Sequence, residues 1–136
     1  MTPEQCEQYL DGAAERLENA SLRDAMEQCL AAIHDGIEAT FAAKVDSAGA
    51  AWPPRKDNLP HPLLDKTGKM KRAAITGGSA DDRELVATVA DVPYATYHQT
   101  GTKRMPKREF HYVTEDTLDA CEQIIADEAL KAIFPD

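Results

Sequence analysis

The sequence predicts an α+β fold: a small antiparallel sheet packed against long N-terminal and C-terminal amphipathic helices, with a long proline-rich loop. Three observations predict it. Apolar residues recur at helical spacing toward both ends of the chain, two short stretches of its second half alternate like strands, and an aperiodic proline-rich segment lies between. With 136 residues the chain suits a single domain over 1–136. A chain of this length buries about two thirds of its unfolded surface, enough for a core without staples.

Thr2-Pro3-Glu4-Gln5 reads as a helix start, with Thr2 as cap, Pro3 in the first turn and Gln5 completing a capping box. Cys6, Tyr9, Leu10, Ala13 and Leu17 follow at helical spacing, so residues 1–20 form an extra N-terminal helix. Ser21 offers a second cap. Behind it Leu22, Met26, Cys29, Leu30, Ile33, Ile37 and Phe41 mark one face of a long helix. Gly36 weakens that helix by about 1 kcal/mol relative to Ala.

Periodicity stops at residues 46–62, which hold Pro53, Pro54, Pro60 and Pro62 and predict an extended loop. Trp52 lies within it, more simply an anchor onto the core than a contact to another subunit. Residues 63–75 read as a short helix burying Leu64, Met70, Ala74 and Ile75, and Gly77-Gly78 with Ser79 to Asp82 as a turn. Strands are expected at Glu84 to Ala90, with Leu85, Ala87 and Val89 on one face, and at Glu109 to Val113. Residues 98–108 form a second extended loop. Thr114 caps a closing helix whose stripe is Leu118, Cys121, Ile125, Ala129 and Ile133. Two strands cannot stand alone, so further short ones are expected near residues 72–78 or in the proline loop.

Charge is unevenly spread. Residues 1–46 hold 10 acidic and 3 basic side chains, residues 109–136 hold 8 and 1, and residues 47–108 hold 6 and 11. The net charge of -9 excludes a general nucleic-acid coat. Acidic helices around a basic centre read first as solvated faces. The sharper alternative is opposite-sign surfaces that meet across copies or partners. Cys6, Cys29 and Cys121 form no CxxC pair and sit at apolar helical positions, which predicts buried, reduced thiols of a cytosolic chain. No segment approaches the roughly 20 apolar residues of a membrane span, so no membrane partner is expected. The N-terminus lacks the features of a signal peptide.

No catalytic, cofactor-binding or metal site is expected. His34, His61, His98 and His111 show no HxxxH or HExxH spacing, and no nucleophile elbow, P-loop or Rossmann glycine pattern occurs. A metal-dependent enzyme would have to rest on His98 and His111, which flank a basic loop. That loop, Lys103-Arg104-Met105-Pro106-Lys107-Arg108, places four cations in six residues. It reads first as a solvated loop or one that pairs with acidic surfaces. The alternative is a grip on DNA phosphates, which would be strongly salt-dependent.

Four segments in order carry a resemblance: Ala51-Trp52-Pro53-Pro54; Leu63-Leu64-Asp65-Lys66-Thr67-Gly68-Lys69-Met70; Tyr94-Ala95-Thr96-Tyr97-His98-Gln99-Thr100-Gly101-Thr102; and Met105-Pro106-Lys107-Arg108-Glu109-Phe110. Their order and spacing over about residues 37–134 resemble the phage virion morphogenesis family of tail-completion or neck proteins. That family carries a Trp-Pro pair, a Leu-x-Asp-x-Gly-x-Leu helix start, a Tyr-Ala-x-x-His-x-x-Gly turn and a Pro-x-Arg-x-Phe strand start. Lys66-Thr67 lengthens the Asp-to-Gly step, Met70 replaces a Leu, and Glu109 replaces a frequent Pro. Gly68, Tyr94, His98, Gly101, Pro106 and Phe110 are the matched structural positions.

The resemblance implies a structural protein without catalytic residues. It implies a protein made in the host cytoplasm, resident in the virion at the neck or tail end, and acting in tail completion or head–tail joining. Partners would be tail or head-connector proteins, with a homo-oligomeric ring and DNA in the neck channel as further contacts. Trp52, Lys103, Arg104, Lys107 and Arg108 are the candidate interaction residues, on loops serving as contact arms.

Overall fold

The computed structural model describes residues 1–57 and 59–135; Asn58, inside the proline loop, and the terminal Asp136 lie outside the described residues. It is an α+β chain ordered α1 (Pro3–Asn19), α2 (Arg23–Ala43), α3 (Lys69–Thr76), β1 (Ser79–Ala80), β2 (Leu85–Val86), α4 (Ala95–Thr100) and α5 (Glu115–Ile133). No helix among the described residues is long and apolar enough to cross a membrane.

The core forms around α2. Cys29, Ile33, Ile37 and Phe41 project from one face of that helix and are buried, as a stripe of period 3.6 requires. α5 packs against this stripe through Cys121, and α3 through Met70 and Ala74. The two long helices approach closely where each thiol reaches the other's carbonyl: Cys29 Sγ lies 3.6 Å from Cys121 O, and Cys121 Sγ 3.8 Å from Cys29 O. At Gly36 an added Cβ would sit 3.0 Å from Thr117 Oγ1, so the glycine that weakens the helix also permits the approach of α5.

α1 begins as the sequence requires, with Thr2 accepting from Gln5 N and Gln5 reaching back to Thr2 N. Its stripe is largely unburied. Ala13 is its one buried residue among those expected, while Cys6, Tyr9 and Leu10 are exposed, because the helix packs on α5 and on no other element to a comparable extent. The expectation of three buried thiols therefore fails at Cys6, and the α5 stripe fails at Leu118, which is exposed. Leu22, not Ser21, occupies the N-cap position of α2; Ser21 Oγ accepts from Arg23 N at 3.4 Å and donates to Asp82 Oδ1 at 2.9 Å.

The sheet is smaller and placed differently than expected. β1 pairs antiparallel with β2 in the register Ser79 with Val86 and Ala80 with Leu85. The segment read as a turn, Ser79-Ala80, is a strand, and the turn follows at Asp81 to Glu84, where Asp81 Oδ1 accepts from Arg83 N and Glu84 N. The expected strand over 84–90 shrinks to two residues because its partner chain is cut short: before Ser79 lie only Gly77 and Gly78, and then α3. Burial still alternates beyond the pairing, with Leu85, Ala87 and Val89 turned partly inward and Val86 and Thr88 outward. A Cβ at Gly77 would collide with the carbonyl of Thr88, and one at Gly78 with that of Val86, so both glycines are needed for the pairing.

Residues 109–113 form no strand, and α3 starts at Lys69 rather than Leu63. Gly68 precedes that helix at φ 76°, a conformation that β-carbon sterics make costly for other residues. The expected loop 98–108 begins as helix, since α4 runs to Thr100. An isolated bridge joins Val45, just before the segment read as loop, to Ala51 within it.

Candidate functional site

The four sequence segments meet at one corner of the molecule, and the bonds that bring them together are mostly between side chains and backbone. After α2 the chain turns through Lys44 at φ 58° and returns within a few residues: Trp52 N donates to Lys44 O at 2.8 Å. That return carries Trp52 into the core, where it is 5% exposed and meets Phe41 edge-on at 5.9 Å. Phe41 also touches Phe110, which is buried, at 5.6 Å. The indole Nε1 donates to Glu109 O at 2.9 Å. Trp52 is thus an anchor and presents no exposed contact surface.

Arg108 ties the proline segment to the same corner. Its Nε donates to Pro53 O at 2.9 Å and its Nη2 to Pro54 O at 3.1 Å. A planar fork spans the two carbonyls in a way an ammonium cannot. Its backbone N donates to His98 O at 2.8 Å. Gly101, at φ 78°, lies so near the next pass of the chain that a Cβ would fall 2.9 Å from Lys107 N. Between them Thr102 and Met105 exchange backbone hydrogen bonds, and the tight turn so formed projects Lys103 and Arg104 into solvent.

Gln99, which no sequence pattern singled out, explains why residues 109–113 are not a strand. Its Oε1 accepts from both Phe110 N and His111 N at 3.1 Å, and its Nε2 donates to His111 O at 2.9 Å. One side-chain amide supplies the pairing that a neighbouring strand would have provided. Tyr112 adds a hydroxyl bond of 2.7 Å to Val45 O.

A cleft of 570 Å³ opens at this corner, lined by the proline segment from Arg55 onward, by residues 63–70, and by Tyr94, His98, Pro106 and Arg108. Tyr94 and His98 meet edge-to-face at 6.2 Å across the first turn of α4. Burial holds the His98 imidazole below its ordinary pKa, and the Arg108 cation adds to the effect. Burial also lowers Arg108, helped by the Arg55 guanidinium and opposed by Asp57. Arg55 donates to Asp57 Oδ1 at 2.9 Å and to His61 Nδ1 at 3.1 Å.

No protein-family model, curated protein or solved structure matches the chain.

The residues singled out in the sequence therefore divide into three groups. Gly68, Tyr94, His98, Pro106 and Arg108 line the cleft. Trp52 and Phe110 lie in the core and Gly101 against Lys107, and none of the three lines the cleft. Lys103, Arg104 and Lys107 are exposed beside the cleft without lining it, and no ion pair engages them among the described residues. Arg55 and His61 were not singled out, because an arginine and a histidine in an aperiodic segment carry no local signal. His98 Nδ1 and His111 Nε2 are each buried without a hydrogen-bond partner, and no group of three or more potential metal-ligating side chains gathers among the described residues. The groups at hand are suited to recognising anions and carbonyls.

Proposed function

We propose that this chain is a structural assembly protein of a tailed phage or prophage virion. It acts in tail completion or head–tail joining through protein–protein contacts. One observation supports this most: the four segments that carry the family resemblance, spread over residues 51–110, converge on a single surface corner. The bonds that hold them there, from Trp52, Gln99 and Arg108, are structural ones. The proline segment and the turn at Lys103 are the contact arms. They present cations beside helices whose exposed faces are acidic, which suits heterologous contacts with a tail or head-connector protein or with a further copy in a ring. Tyr9 and Phe134, exposed and stacked on each other where α1 meets the end of α5, add apolar surface of the kind that assembly covers.

Electron microscopy of particles from the parent phage with this gene deleted tests the proposal. DNA-filled heads beside unjoined tails are expected; normal infectious virions would remove the assembly role.

A second reading is favoured by the exposure of Lys103, Arg104 and Lys107 without ion pairs. On that reading the turn touches DNA phosphates in the neck channel. Salt-sensitive DNA binding by the purified chain, lost when these three become Ala, is its expected signature. Absence of binding at low salt would discard it.

A further inference from the structure

We infer that the cleft beneath the proline segment is a binding site for a phosphate-class dianion, a property separate from the assembly role. The cleft walls carry Arg55, Lys56, Lys66, Lys69 and Arg108 against two carboxylates, Asp57 and Asp65. This is an excess of positive charge on a chain whose net charge is -9. Its 570 Å³ falls within the range of small-ligand sites, roughly 300–1,000 Å³.

Two of the cationic groups, the guanidiniums of Arg55 and Arg108, are held in place by hydrogen bonds. Arg108 is fixed by two proline carbonyls, which leaves its Nη1 without a partner among the described residues. Arg55 is fixed by Asp57, by Leu59 O at 3.2 Å and by His61. The two guanidiniums are near enough for Arg55 to make the charged form of Arg108 harder to hold, and Arg108 does the same to His98. Like charges gathered by fixed hydrogen bonds, with one carboxylate acting between the two arginines, are relieved by a bound anion.

Two unsatisfied polar atoms point the same way. His61 Nε2 and His98 Nδ1, on residues that line the cleft, are buried with no partner among the described residues. Because a guanidinium only donates, the Arg55 contact puts the His61 proton on Nε2, and the 3.0 Å approach of Nδ1 to Pro62 O is then no hydrogen bond. A buried donor left unpaired costs about 1–3 kcal/mol, and an imidazole that turns its Nε2 toward the cleft offsets this by donating to a bound anion. A carboxylate supplies one negative charge and two oxygens. A phosphate monoester or pyrophosphate supplies two or more charges and at least three oxygens, the closer match to this lining.

The test is calorimetric titration of the full chain at low ionic strength with pyrophosphate, and in parallel with a short single-stranded oligonucleotide. Saturable pyrophosphate binding is expected. It should weaken about tenfold or more in Arg55→Gln, as for loss of a charge-assisted bond. It should weaken clearly in the double variant Lys66→Gln/Lys69→Gln, at lysines whose side chains make no hydrogen bond among the described residues, and persist when Lys103, Arg104 and Lys107 become Ala. Oligonucleotide binding lost only in that triple variant assigns the cleft to a small phosphorylated molecule. Oligonucleotide binding that falls in step with pyrophosphate in Arg55→Gln assigns it to a nucleic-acid phosphate. Absence of saturable pyrophosphate binding, or equal binding by wild type and both cleft variants, overturns the site.

Discussion

The α2–α5 contact and the cleft corner are held together by different physics. Along α2 and α5 the contact is mainly apolar: Cys29, Ile33, Ile37 and Cys121 fill space, and the bonds named across it are the two long thiol–carbonyl ones of Cys29 and Cys121. At the corner Trp52, Gln99, Arg108 and Tyr112 each spend a side chain on a distant backbone group. The first region tolerates a changed side chain in proportion to volume. The second fails by steps, because each bond removed at Trp52, Gln99 or Tyr112 leaves part-buried polar groups without that partner.

The largest difference should come from truncating one residue in each region. Ile37→Ala is expected to cost about 2–5 kcal/mol in chemical denaturation, while Ile37→Val costs about 1 kcal/mol, a graded response. Gln99→Ala is expected to cost about 2–3 kcal/mol, because it strips partners from Phe110 N, His111 N and His111 O together. Hydrogen exchange separates the two. In the Gln99 variant the amides of Phe110 and His111 should lose protection while those of α2 keep it. Equal loss along both would dissolve the comparison.

A smaller effect should appear with pH. Burial, with Arg108 second, lowers the pKa of His98; burial, with His34 second, lowers that of His111. Over this range the unfolded chain binds protons that the folded chain does not. Stability is therefore full above the ordinary imidazole value of 6.5 and falls as pH drops toward the folded values. Thermal melting between neutral pH and mildly acid pH should show the decline, and His98→Gln should flatten part of it. An unchanged melting temperature would mean that neither ring is shielded from protonation.

The two regions also differed in how far the sequence revealed them. The stripe from Leu22 to Phe41 and the capping box at Thr2 are local patterns, and the helices follow them within a few residues. Residues 109–113 read as a strand but form none, because alternation and aromatic content describe a chain ready to pair without naming its partner, which is the amide of Gln99. The strand over 84–90 was overextended for the same kind of reason, since its length is set by where α3 ends. Cys6 and Leu118 fit their stripes and are exposed, because α1 and part of α5 have no further element to cover them. The cleft was half legible. Gly68, His98, Pro106 and Arg108 stood out as a set, while Arg55 and His61 join it through contacts across the fold.

The smallest expected change in stability leads to the most direct test. Lys103, Arg104 and Lys107 are exposed and unpaired by ion pairs among the described residues, so Lys103→Glu/Arg104→Glu/Lys107→Glu should leave stability within about 0.5 kcal/mol per site. The measurement is complementation of a phage lacking the gene with this triple variant, scored by electron microscopy. A folded, stable variant that leaves heads and tails unjoined is the predicted result. Full restoration of infectious particles would contradict the account that this corner is the surface through which the protein assembles.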